Sequence, residues 1–141
     1  MKKCFTFFLV LFLWSSLAFS QSIVGKWKTI DDKTGKAKSV VKIYKAKNGL
    51  YYGKIEQLLD PSRDPNVVCT KCTGANKDKP IVGLVIITKL SKNGSVWSGG
   101  KILDPENGKN YKCKLWLDKG TLKVRGYWGV FYRTQTWYKA S

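Results

Sequence analysis

Turn signals punctuate the chain at short intervals, and they constrain its fold more than any other feature. They are Asp31-Asp32-Lys33-Thr34-Gly35, Lys47-Asn48-Gly49, Lys92-Asn93-Gly94, Asp104-Pro105-Glu106-Asn107-Gly108 and Asp118-Lys119-Gly120. Asn-Gly and Asp-x-Gly supply the positive φ that tight hairpins need. Between them lie short runs rich in Val, Ile, Tyr, Trp and Thr, which predict strands near 23–30, 38–46, 50–58, 81–90, 95–102, 110–117, 121–127 and 133–139. No run of helical period reaches the length of a typical helix. Residues 60–80 form the one long connection, and they carry Cys69 and Cys72.

Several of these runs alternate between an apolar and a charged face. Val41 and Ile43 flank Lys42; Cys113, Leu115 and Leu117 alternate with Lys112 and Lys114; Leu122 and Val124 alternate with Lys123 and Arg125. Strand side chains have a period of two, so each run presents one face to a core and one to water. A meander of this kind hides its edges best by closing on itself. The expected fold is therefore all-β: a single eight-stranded antiparallel up-and-down barrel over residues 21–141. Such a barrel is either filled by its own side chains or holds one small ligand. The run Ile81–Thr88 is apolar on both faces. We expect loop 60–80, rather than a second subunit, to cover its outside, and the protein to be a monomer.

The first twenty residues have a different character. Met1-Lys2-Lys3 is a short basic start, Cys4 to Leu17 is almost wholly apolar, and Ala18-Phe19-Ser20 ends on small residues. This is the pattern of a secretory signal peptide cut before Gln21. The apolar run is short for a membrane span of about 20 residues, so the mature protein is expected to be exported, periplasmic or secreted, and not membrane-spanning. Cleavage removes Cys4 and two of the 26 basic residues, leaving 24 against 9 acidic, a net charge of +15. That balance favours anionic partners, either a small amphipathic or anionic ligand or an anionic envelope surface. Nucleic acid is not expected, because the chain is exported and carries no recognised binding motif.

The first strand carries Gly25-Lys26-Trp27, and an arginine follows in the last, Arg133. Gly-x-Trp in strand one with an arginine over the indole resembles the closure device of lipocalin-like barrels. The indole plugs the narrow end, and a guanidinium on its face adds about 0.5–2 kcal/mol. Gly25, Trp27 and Arg133 are thus the expected closure residues. Arg133 shares its strand face with Gln135 and Trp137.

The order of segments is also familiar: Val24-Gly25-Lys26-Trp27, then Pro80-Ile81-Val82-Gly83-Leu84, then Trp97 through Tyr111, then Leu122-Lys123-Val124-Arg125-Gly126-Tyr127, then Arg133-Thr134-Gln135-Thr136-Trp137. In this order they resemble the bacterial exported family catalogued as domain of unknown function 2147. The run Gly99 to Tyr111 followed by Val124 to Tyr127 carries most of the specificity. The resemblance implies a small secreted β-barrel of bacteria with no established activity, and it brings no catalytic residues.

Three cysteines remain after cleavage. In an oxidising compartment Cys69 and Cys72 are the expected disulfide, with Cys113 buried and reduced. A redox role is disfavoured because such pairs work at a helix N-terminus. A zinc site is disfavoured because it wants four ligands and the chain has no histidine. Without histidine, triads and imidazole bases are excluded. Most acids lie in turns. Glu56, in mid-strand, shares a face with Lys54 and reads as half of a surface pair. No nucleophile and base can be matched, so no enzyme, metal or cofactor is expected. The remaining polar–aromatic residues, Tyr51, Arg125, Tyr127, Gln135 and Trp137, are the candidate ligand-binding set. Arg125 lies on the lysine-bearing face and is expected at a surface or rim.

Overall fold

The computed structural model describes residues 21–140. The expected signal segment, with Cys4 and the cleavage point before Gln21, lies outside the described residues. Eight strands run in chain order: β1 (Gly25–Ile30), β2 (Ala37–Lys45), β3 (Tyr51–Leu58), β4 (Val85–Asn93), β5 (Val96–Asp104), β6 (Lys109–Asp118), β7 (Thr121–Trp128) and β8 (Phe131–Lys139). Each is antiparallel to the next. β8 returns to β1, where Trp27 faces Lys139 and Lys28 faces Tyr138, and the sheet closes as a barrel. The eight-stranded meander read from the turn signals is the fold observed.

The alternation read from sequence sorts the wall as expected. Val41, Ile43, Cys113, Leu115, Leu122 and Val124 are buried inside. Lys26, Lys42 and Lys54 form one row on the outer face, opposite one another in the register. Glu56 also faces out, but its partner is Lys26, with Nζ 3.0 Å from the carboxylate, and not Lys54. The bulge between Val40 and Val41 shifts the β2–β3 register, so position along one strand did not fix the neighbour.

β4 begins at Val85, four residues later than expected. Ile81 to Leu84 instead form a turn closed by Leu84 N–H donating to the Ile81 carbonyl at 3.1 Å. Ile81, Leu84, Ile86 and Ile87 are all buried within the one chain. The long connection supplies part of the cover. Val68 pairs with Pro80, Ile81 N–H donates to the Val67 carbonyl at 3.0 Å, and the Cys69–Cys72 disulfide is buried. The connection rests on the β5–β6 turn at Gly108. With φ of 73°, Gly108 lies against the Lys71 carbonyl, and a β-carbon there would collide with that oxygen.

Chain direction fixes what lies at each end. The β2–β3, β4–β5 and β6–β7 turns share one end with the start of β1 and the end of β8. The β1–β2, β5–β6 and β7–β8 turns share the other with the 59–84 connection. The first end is filled. Trp27 is buried with its Nε1 donating to the Ile23 carbonyl at 2.9 Å. Tyr51 and Trp97 meet edge to face, centroids 6.1 Å apart, beside buried Leu90 and Leu115. The second end is hollow.

Candidate functional site

The hollow end holds a cavity of about 600 Å³, inside the range of small-ligand sites. Its inner wall is apolar, with Ile55, Ile86, Ile102, Val124 and Trp137 among the lining residues. Gly126 of β7 leaves room: a β-carbon there would touch only Tyr111 Cβ at 3.7 Å and Ile102 Cγ2 at 3.9 Å. Thr29 and Ser39, on adjacent strands, share a hydroxyl hydrogen bond of 2.6 Å on the cavity wall. They give the interior one polar spot whose own hydrogen bonding is satisfied.

A chain of contacts runs from the floor to the mouth. Trp137 Nε1 donates to Gln135 Oε1 at 3.0 Å. Gln135 Nε2 donates to Asp32 Oδ2 at 2.9 Å, and the Arg133 guanidinium pairs with the same carboxylate. Asp32 sits in the β1–β2 turn, so two residues of β8 staple that turn to the wall. Lys38 of β2 pairs with Glu106 of the β5–β6 turn, a second tie across the rim.

The charges at the mouth are unequally engaged. Asp31 accepts from the backbone N–H groups of Thr34 and Lys33, and these hold its carboxyl below the usual value. Asp104 accepts from Glu106 N–H at 2.9 Å. Asp32 and Glu106 are taken by Arg133 and Lys38. Every carboxylate lining the mouth thus has a partner. Lys33, Arg63 and Lys109 line it too, and among the described residues none of them joins an ion pair.

The sequence-derived residues scatter. Gln135 and Trp137 line the cavity. Tyr51 does not; it belongs to the filled end, against Trp97. Arg125 lies outside, its guanidinium 4.9 Å from the Trp116 ring and 4.3 Å from the Tyr132 ring, with Nε donating to Thr134 Oγ1 at 2.8 Å. Tyr127 is outside as well, 6.1 Å from Tyr132. Alternation along β7 forces this: Val124 and Gly126 face in, so Arg125 and Tyr127 face out.

Arg133 is the main correction. It does not lie over Trp27. The cation there is Lys139, with Nζ 6.0 Å from the ring centroid. Lys139 faces Trp27 across the closing seam, and Arg133 stands six residues back along β8, about 20 Å at 3.3 Å per residue. Gly25 opens β1 opposite Ile43, and Trp27 is buried at that end. Asp32, Thr29 and Ser39 were missed as site residues. Asp32 reads as ordinary turn chemistry, and the inward parity of Thr29 with Trp27 was the available signal for the hydroxyl pair.

Cys113 is free and buried. Burial pushes its thiol up to about 12, which leaves it protonated and inert near neutrality.

Among solved structures, the chain resembles Protein HP1028 from the human pathogen Helicobacter pylori, described as belonging to the lipocalin family. The TM-score is 0.72 at 21% identity, covering 85% of this chain and 84% of that one. At that identity the likeness concerns the fold. A search of curated proteins finds no match. The family model described as an uncharacterized protein conserved in bacteria, domain of unknown function 2147, matches residues 25–139, which is the whole barrel from β1 to β8, and the chain belongs to that family.

Proposed function

We propose that the protein is an exported binding module that takes one small anionic amphiphile in the open end of its barrel. The apolar body lies against Ile55, Ile102, Val124 and Trp137, and the anionic group sits at the mouth near Lys33, Arg63 and Lys109. The observation that carries this is the imbalance of the rim. Five cations face four carboxylates at the mouth. Asp32 and Glu106 are paired with cations, and Asp31 and Asp104 are held by backbone N–H groups. Among the described residues Lys33, Arg63 and Lys109 join no ion pair, above a cavity of about 600 Å³ with an apolar wall. A concave, mostly apolar site with a few directed polar groups is what small-ligand recognition requires. Export rests on the basic-then-apolar start of the chain and agrees with a Cys69–Cys72 disulfide.

Titration with 1-anilinonaphthalene-8-sulfonate, followed by displacement with a long-chain fatty acid, tests the reading. We expect one saturable site, displaced by the fatty acid and more weakly by the alcohol of the same chain length. Gly126→Leu places a side chain in the cavity and should abolish probe binding while the barrel keeps its thermal stability. Probe binding unchanged in that variant, or no displacement by any amphiphile, overturns the proposal.

A further inference from the structure

The tight hairpin turns between successive strands are polar with one exception. Five carry Asp, Asn or Lys at their tips, whereas the β7–β8 hairpin reads Trp128-Gly129-Val130-Phe131-Tyr132. Gly129, at φ of 58°, takes the first central position of the two-residue turn, which places Val130 at the apex. Val130 is 90% exposed, Phe131 63%, Tyr132 58% and Trp128 49%. Burying apolar surface is worth about 25 cal/mol per Å², so a hairpin tip of this composition in water leaves a large gain unrealised.

The tip is also held in place. Trp128 and Phe131 stack across the hairpin, centroids 6.2 Å apart. Tyr111 meets Trp128 at 6.1 Å, and Arg125 lies on Tyr132. Ordering of this kind reduces the entropy lost on docking. The tip stands on the rim of the cavity, where Trp128 is itself a lining residue.

We propose that this hairpin is a membrane-docking surface, which inserts Val130 and Phe131 into the interface of an anionic lipid leaflet. Trp128 and Tyr132 suit the headgroup level, where an aromatic ring with one polar atom is at home. The mouth at the same end carries five cations and four carboxylates. Lys33, Arg63 and Lys109, which join no ion pair among the described residues, complement anionic head groups, a basic residue near such a surface being worth up to about fivefold in binding. Charge also argues against a second copy as the occupant, since the chain from Gln21 onward carries 24 basic against 9 acidic residues, a net +15, and would repel itself. A stable protein interface takes roughly 20–30 residues a side, and the tip offers a handful. Elsewhere the outer wall bears lysine rows, so the barrel docks by its rim and does not span. Docking of this kind sets the cavity mouth at the leaflet; that consequence rests on the amphiphile reading, whereas the docking itself does not.

The test uses the chain from Gln21 onward, which contains the whole closed barrel, in flotation with vesicles at physiological ionic strength. The protein should bind vesicles of phosphatidylcholine mixed with phosphatidylglycerol, and bind phosphatidylcholine alone more weakly. Val130→Ser with Phe131→Ser should weaken partitioning roughly tenfold for each side chain withdrawn. Because both residues are exposed, far-ultraviolet circular dichroism and thermal stability should be almost unchanged, and so should binding of the sulfonate probe in the absence of vesicles. Lipids brominated near the head group should quench emission from the wild type and much less from Trp128→Phe. No binding to the mixed vesicles, equal binding by the double variant, or concentration-dependent self-association that the double variant abolishes would each overturn the proposal. Loss of probe binding with vesicle binding intact would instead overturn only the cavity reading.

Discussion

The two ends of this barrel are built from the same eight strands, yet one is solid and the other hollow. At the filled end the inward positions carry Trp27, Tyr51, Leu90 and Trp97, all buried, and the rings of Tyr51 and Trp97 meet edge to face. At the open end the inward positions carry Thr29, Ser39, Ile102, Val124 and Gly126 around a cavity of about 600 Å³. Trp137 lies between, as the floor of the hollow. The size of the inward side chain at each level along the axis therefore decides whether an eight-stranded barrel is plugged or open. The filled end can supply stability through packing, and the open end has traded that packing for space and charge.

Several measurements can break or sharpen this contrast. The largest effect belongs to the plug. Trp27→Ala removes a buried indole and should lower unfolding free energy by about 3–5 kcal/mol in chemical denaturation. Probe binding by the fraction still folded should persist, because Trp27 does not line the cavity. Unchanged stability would mean that the filled end is not the structural one. Next in size is the disulfide at the open end. Cys69→Ser with Cys72→Ser should cost about 2 kcal/mol on the chain-entropy account, seen as a lower melting temperature. A loss as large as that from Trp27→Ala would show that the long connection is as much a part of the core as the plug.

Arg133→Gln should change stability by less than about 1 kcal/mol, since its pair with Asp32 is more than one-third exposed on both sides. A drop comparable to Trp27→Ala would restore Arg133 as a keystone. The smallest effect is in acid. Asp31 is held below its ordinary value of 3.8 by the N–H groups of Thr34 and then Lys33. Asp60 is held low by the Ser62 hydroxyl and then the Ser62 N–H. A depressed folded value means the stabilisation is fully present above about pH 4 and is lost as pH falls through the folded value. Asp31→Asn should therefore flatten the acid limb of the stability curve slightly, by lowering stability a little at neutral pH and leaving it unchanged below the folded value. A large change at neutral pH would show that the β1–β2 turn has a structural role beyond the mouth.

Much of the fold was legible because its signals are local. Asn-Gly and Asp-x-Gly marked the hairpins, and alternation in β6 and β7 gave the inward set, including Cys113, Leu115 and Val124. The start of β4 was not legible. Ile81 and Leu84 look like strand residues, but the hydrogen bonds of Ile81 and Gly83 go to Val67 and Ile55, across the long connection. At the site, parity placed Gln135 and Trp137 inward and Arg125 outward, as found. It could not say how far along the axis each residue sits. Arg133 shares a face with Trp137, yet it is bound to Asp32 at the end remote from Trp27. Asp32 itself gave no sign, because a turn aspartate and a rim aspartate read alike until the turn is folded against β8.

The amino-acid sequence by itself determined the number of strands, their order, the face each side chain takes and the cysteines that pair. These follow from turn conformation, the two-residue period of a strand and a short covalent reach, all of which act between near neighbours. Only the tertiary structure decided which end is hollow, which cation covers Trp27 and which charges at the rim are left without a partner. Those depend on stagger between strands and on the meeting of turns distant in the chain, where closure of the barrel, not local preference, sets the distances.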